Sequence, residues 1–305
     1  MNISSEWRQV LTSALGSALV QRALAGGSLD AVGADVALKQ SRAEKAPLAG
    51  QTVLVTGASS GIGRAVALEL CERGARPVLV ARSLDRLNDV AREITSRGGT
   101  SRVYAADLSS AASAAELVRQ LEADGVVVDV LINNAGRSIR RPLDEAYQRE
   151  HDYERTMAIN YFGAVRLILA LLPGMRARRR GHVINVSSAG VQIGAPLFSA
   201  YVASKAALDG FTRVAAAETA GDDVFFTTVH MPLVRTKMIE PTVAYRDVEA
   251  LTPEAAARLV LRPLQTRERQ LGTRVAQLVS LAYVLAPALL ESALGWGSRL
   301  DTGPL

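Results

Sequence analysis

The sequence predicts an α/β fold, one parallel sheet doubly wound by helices, on three observations. Short apolar runs alternate with helix-period segments from residue 51 onward. The runs are continuously apolar, as expected of strands covered by helices on both faces. A glycine-rich turn joins the first run to the first helical segment.

The candidate strands are TVLVT (52–56), PVLVA (77–81), RVYAA (102–106), DVLIN (129–133), HVINVS (182–187) and FFTTVH (225–230). Ahead of them, Trp7, Val10, Leu11, Ala14, Ala18 and Leu19 recur at helical spacing and read as an amphipathic helix. A signal peptide competes through the stretch ALAGG, but its basic region is poor and Arg22 interrupts the apolar run. Residues 27–49, with Gly, Asp, Lys and Pro47, read as a linker. The chain thus divides into an N-terminal helical extension and linker (1–48), a catalytic core (49–240) and C-terminal helices with an apolar tail (241–305), the last two forming one domain.

In the C-terminal part, Thr252 and Pro253 open a capped helix, TPEAAARLVL. The tail VAQLVSLAYVLAPALLESALGW must cover its own substrate cleft, a second copy in a homo-oligomer, or a membrane surface in peripheral contact. No stretch of 18 uncharged apolar residues is present, so no spanning helix is expected.

Composition narrows the function. With 305 residues and 49% hydrophobic content the chain can bury a full core. Its 35 basic and 30 acidic residues give a net charge of +5, which suits an anionic ligand, and no nucleic-acid-binding pattern accompanies it. Cys71 is the single cysteine, so there is no intrachain disulfide and no cysteine-rich metal site; no metal is expected, and a reducing cytoplasm fits.

The glycine turn lies in TGASSGIGRAVALEL. Gly57, Ser59, Ser60, Gly61, Ile62 and Gly63 stand between a strand and a helix, where backbone amides and the positive helix end receive a pyrophosphate. That placement makes the sheet Rossmann-type. After the second strand, Ala81 occupies the place of the usual ribose-binding acid, followed by Arg82 and Ser83. An arginine and a hydroxyl suit the 2′-phosphate of NADP(H). Arg82 is alternatively a solvated residue at a helix start. Asp107, next to Leu108, either accepts a bond from the adenine amino group or caps the next helix. Asn134, Ala135 and Gly136 follow the fourth strand and line the same site.

In FSAYVASKAALD (198–209), Tyr201 and Lys205 stand four residues apart and share one helix face. The pair reads either as an acid/base device or as a buried ring beside a lysine that snorkels to water.

TGASSGIG, NNAG (133–136), Ser188 and YVASK together resemble the short-chain dehydrogenase/reductase family. The resemblance implies a sheet of about seven strands and a catalytic tetrad of Asn160, Ser188, Tyr201 and Lys205. Tyr201 would donate the proton, its pKa lowered by Lys205 and the nicotinamide. Ser188, thirteen residues ahead of Tyr201 and preferred to Ser187, would hold the oxyanion, and Asn160 would order a water leading to Lys205. Pro232, Val234 and Thr236 would lie beside the nicotinamide. Leu233 replaces the glycine that often follows the proline.

NNAGRSIRR, MAINYFGAVRL and MPLVRTKMIEPT, with the apolar tail, also look like the bacterial long-chain fatty acyl-CoA reductases. That similarity implies an acyl-CoA substrate reduced to an aldehyde by NADPH. Arg137, Ser138, Arg140, Arg141 and Phe198 would form the substrate site, and a second cluster, Arg176, Arg178, Arg179 and Arg180, is an alternative contact for coenzyme A phosphates or a solvated loop. An NADPH-dependent ketone or aldehyde reductase for a hydrophobic substrate is the competing reading. A non-catalytic NADP-binding protein would have a broken tetrad, and this one is intact.

Overall fold

The computed structural model describes residues 48–300 apart from 241, 243, 244 and 247; the N-terminal extension lies outside the described residues. The order of elements is β1 (Thr52–Thr56), α1 (Gly61–Glu72), β2 (Arg76–Ala81), α2 (Leu84–Ser96), β3 (Arg102–Ala105), α3 (Ala111–Ala123) and β4 (Val130–Asn133). There follow α4 (Glu150–Met157), α5 (Gly163–Ala177), β5 (Gly181–Ser188), α6 (Ala189–Ile193), α7 (Ser199–Glu218) and β6 (Val224–Met231). The chain continues through α8 (Pro253–Leu261), α9 (Pro263–Thr266), β7 (Gln270–Leu271), α10 (Arg274–Leu285) and α11 (Pro287–Leu300).

The seven strands form one parallel sheet in the order β3-β2-β1-β4-β5-β6-β7. Strand residues serve opposite faces in turn. Val53 and Val55 of β1 join the layer containing Val66, Ala67 and Leu70 of α1, while Leu54 joins that containing Leu167 and Ile168 of α5. Each fully buried aliphatic side chain here contributes roughly 1.5–3 kcal/mol, so both layers clamp the sheet.

The helix starting at Pro253 is capped as expected, Thr252 Oγ1 accepting from the Ala255 amide at 3.2 Å. Its Ala256, Ala257 and Val260 pack into the same layer as α1. The tail forms two helices separated at Ala286. The buried face of α10, Ala276 and Val279, packs on Ala189 and Ile193 of α6. Its other face leaves Leu278, Leu281, Val284 and Leu285 exposed. One continuous helical stretch, Glu150–Ala177, is long and apolar enough to cross a membrane. Its Leu167, Ile168 and Met175 are wholly buried against the sheet.

Candidate active site

Strand order reverses between β1 and β4, and a cleft of about 900 Å³ opens there, at the carboxyl ends of the strands. The glycine turn forms one wall. Gly57 and Gly61 take positive φ angles of 67° and 52°, and a Cβ on Gly63 would stand 2.3 Å from the Gly57 carbonyl oxygen and 2.6 Å from Asn134 Nδ2. Only glycine fits such an approach. Ser60, at the N-cap of α1, makes no side-chain bond to the helix, so the first amides and the positive helix end face the cleft as donors for an anion. Asn134 braces this turn, its Nδ2 donating to the Thr56 carbonyl at 3.0 Å and its backbone N to Thr56 Oγ1 at 2.9 Å.

These features fit a dinucleotide. Ser59, Ile62, Arg82, Ser83, Asp107, Leu108, Ala135, Gly136, Pro232, Val234 and Thr236 all line the cleft as the sequence predicts. Arg86 joins Arg82 there. One turn into α2, it gives no motif signal. Ser83 does double duty as the N-cap of α2, accepting from the Arg86 amide at 3.5 Å. The capping alternative for Asp107 is overturned: Ser110 caps α3, whereas Asp107 Oδ1 accepts from the amide and hydroxyl of Ser109 at 3.0 and 2.7 Å. The Ser109 bonds hold the Asp107 carboxyl below the usual range, against burial and with help from Arg82 and Arg137.

The tetrad residues gather on the next wall. A buried ladder sets α7 against the sheet: Asn133 Nδ2 donates to Asn185 Oδ1, and Asn185 Nδ2 to Thr212 Oγ1, both at 2.8 Å. α7 therefore aims Tyr201 and Lys205 at the cleft, beside Ser188 at the end of β5. Ser188 Oγ accepts from the Gly190 amide at 3.1 Å as the cap of α6, on the same cleft wall as the Tyr201 phenol. Ser187, by contrast, is buried with no partner for its Oγ among the described residues.

Lys205 does not snorkel. It is 4% exposed and its Nζ donates to the Val186 carbonyl at 2.7 Å. Burial pushes its pKa down from 10.5 to about 8, with the Asp209 carboxylate opposing. Tyr201 departs from expectation, because burial pushes its phenol above 10.0, Ser188 pulls it down and Asp209 pushes it further up. Lys205, the expected cause of a lowered value, is directed at the Val186 carbonyl instead.

Asn160 lies in a one-turn π-helix, Ala158–Phe162, between α4 and α5. Its Nδ2 donates to the Arg137 carbonyl and to Ser204 Oγ, both at 2.9 Å, and its Oδ1 accepts from the Arg137 amide at 2.8 Å. With both side-chain donors committed, the amide braces the loop after β4 against α7.

The substrate residues separate. Arg137, Ser138 and Phe198 line the cleft, and Phe198 meets Tyr201 edge-on and Tyr245 face-on with centroids 6.4 and 6.3 Å apart. Arg140 and Arg141 do not line it. Arg141 Nε instead donates to the buried Asp152 carboxylate at 3.0 Å, which Arg149 also holds at 2.9 Å. Arg155 and Lys237 supply further cleft charge that no sequence motif marks. The arginines near residue 180 sit at the opposite, amino end of the sheet, Arg176 paired with Asp222 at 2.6 Å and Arg180 with Asp129 at 3.7 Å. All four are exposed, as the solvated alternative has it. The tail likewise does not line the cleft, whose apolar wall comes from Leu233, Met238, Ile239 and Tyr245.

A Tyr–Lys–Ser cluster with its lysine buried, facing a dinucleotide cradle, places the chain in a class, the oxidoreductases that work on a bound nicotinamide. More narrowly, it belongs to the short-chain dehydrogenase family, whose profile matches residues 51–247. An uncharacterized oxidoreductase of Mycobacterium tuberculosis is 50% identical over 245 residues, 79% of this chain and 72% of that one. The fatty acyl-CoA reductase of Acinetobacter baylyi is 45% identical over 251 residues, 82% and 85% of the two chains. A solved 3-oxoacyl-(acyl-carrier-protein) reductase from Agrobacterium tumefaciens with NADP bound superposes with a TM-score of 0.66 at 29% identity, covering 75% of this chain and 94% of that one.

Proposed function

We propose that this oxidoreductase reduces a long-chain acyl-CoA thioester to the aldehyde with NADPH. The observation that carries the reading is the 45% identity with the Acinetobacter reductase across 85% of that enzyme. The preference for NADPH rests on Arg82 and Arg86 at the adenosine end of the cleft, with no acid at Ala81.

The bound dinucleotide supplies the hydride. Tyr201 donates its phenolic proton to the carbonyl oxygen, and the Ser188 hydroxyl donates a hydrogen bond to the same atom as negative charge gathers there. The hemithioacetal so formed collapses to aldehyde as the C–S bond breaks, and coenzyme A leaves as a thiolate that takes up a proton. Lys205 holds the nicotinamide ribose and Asn160 fixes the loop carrying Gly136. Leu233, Met238, Ile239 and Tyr245 accept the alkyl chain, and Arg137, Arg155 and Lys237 meet the coenzyme A phosphates. The reading places the enzyme in the cytoplasm as a homo-oligomer, with peripheral membrane contact through the exposed leucines of α10.

A second reading, reduction of a ketone on an acyl chain, is favoured by the likeness to the 3-oxoacyl reductase. Turnover of a saturated long-chain acyl-CoA and of its 3-oxo counterpart, each with NADPH, separates the two. A higher kcat/KM on the saturated thioester supports the first; turnover of the 3-oxo compound alone overturns it.

A further inference from the structure

Behind the catalytic pair, α7 carries a third ionisable residue on the same face, Asp209, one turn beyond Lys205. Its Oδ2 lies 2.7 Å from Nε2 of His230, on β6 two residues before Pro232. The side chains are 15% and 6% exposed. With a carboxylate as acceptor, the imidazole carries its proton on Nε2.

Stability does not explain this pair. Asp209 Oδ1 and His230 Nδ1 are both buried without a partner among the described residues. Unsatisfied atoms of this kind oppose folding, and apolar side chains of similar size avoid the cost. The charge does reach the active site, because the Asp209 carboxylate acts on both Lys205 and Tyr201. Ser188 from β5, the Val186 carbonyl and the Asn160 amide beside them are uncharged; of the cations lining the same cleft, Arg137 acts on Asp107, and Arg155 and Lys237 are the others on the substrate side.

We propose that Asp209, held by His230, is a positioning residue that keeps Lys205 protonated and Tyr201 in its proton-donating form. A negative charge at this point favours the ammonium and disfavours the phenolate, so both members of the pair are biased toward the state that reduction requires. His230 fixes the carboxylate and, by joining β6 to α7, ties its position to the strand that leads into the cofactor loop. The inference rests on Tyr201 and Lys205 being the reacting pair and is independent of which carbonyl compound is reduced.

The test uses Asp209→Asn, which keeps shape and removes charge. Two quantities are measured: the basic limb of kcat/KM against pH, and the ionisation of Tyr201 by ultraviolet difference titration against Tyr201→Phe, which needs no turnover. Both should move down by about one pH unit, with NADPH binding at pH 6.5 retained. A uniform loss of activity with neither quantity moving overturns the proposal. His230→Phe, which strips the carboxylate of its donor, should move both in the same direction by less, and serves as the test if Asp209→Asn fails to fold. Activity surviving in Tyr201→Phe contradicts the underlying role of Tyr201; a dead Tyr201→Phe with an unmoved Tyr201 ionisation in Asp209→Asn contradicts the Asp209 role alone.

Discussion

Lys205→Met should make the protein more stable at neutral pH while abolishing turnover. The lysine is 4% exposed, and burial lowers its pKa from 10.5 to about 8. At pH 7 such a difference costs the folded state about 3 kcal/mol, since the unfolded chain holds the proton more tightly. Because the folded value lies below the unfolded one, the penalty is complete below about pH 8 and fades as pH rises toward 10.5. At pH 9.5 roughly 1 kcal/mol of it remains. Methionine fills similar space, but the Val186 carbonyl loses its bond from Nζ, at a cost of about 1 kcal/mol. The expected gain is therefore about 2 kcal/mol at pH 7 and close to zero at pH 9.5. Urea unfolding of both proteins at the two pH values measures it. A stability difference that is the same at pH 7 and 9.5 would show that Lys205 titrates alike in the folded and unfolded chains, contrary to its lowered value.

Gly63→Ala places a methyl 2.3 Å from the Gly57 carbonyl oxygen, so the turn must open. Overpacking of about 1–3 kcal/mol should lower the melting temperature and weaken NADPH binding by at least about tenfold, followed by quenching of intrinsic fluorescence; unchanged affinity would show that the turn does not hold the pyrophosphate. Arg82→Ala should raise the Kd of NADPH on the order of tenfold, the value of a charge-assisted hydrogen bond, and leave NADH unaffected in the same titration. Arg141→Ala removes one of two close guanidinium partners of Asp152 and should cost about 1–3 kcal/mol in unfolding assays. The KM for acyl-CoA should not change; a large rise without loss of stability would return Arg141 to the substrate site.

Six of the seven strands are legible in the sequence because each is an apolar run covered by helices on both faces. β7 is not, since Gln270–Leu271 spans two residues, of which only Leu271 is buried. The cradle is legible because its glycines answer a steric demand that no other residue meets. Arginines were harder to assign. Position after NNAG identifies Arg137, yet whether a long side chain turns into the cleft or toward a carboxylate depends on Asp152, eleven residues from Arg141. The Asp209–His230 contact joins residues 21 apart, and no spacing rule connects a helix to the strand that follows it. The tail's apolar character was plain, but the sequence could not show that α6 would occupy one face of α10 and leave the other outside the cleft.

In the proposed reaction the cluster of Ser188, Tyr201 and Lys205 delivers its proton to a thioester carbonyl. The most direct measurement follows free thiol and NADPH together in one reaction with a long-chain acyl-CoA. Thiol should be released in step with NADPH consumed, and neither should occur in Tyr201→Phe; NADPH consumed without thiol from any acyl-CoA would contradict thioester reduction.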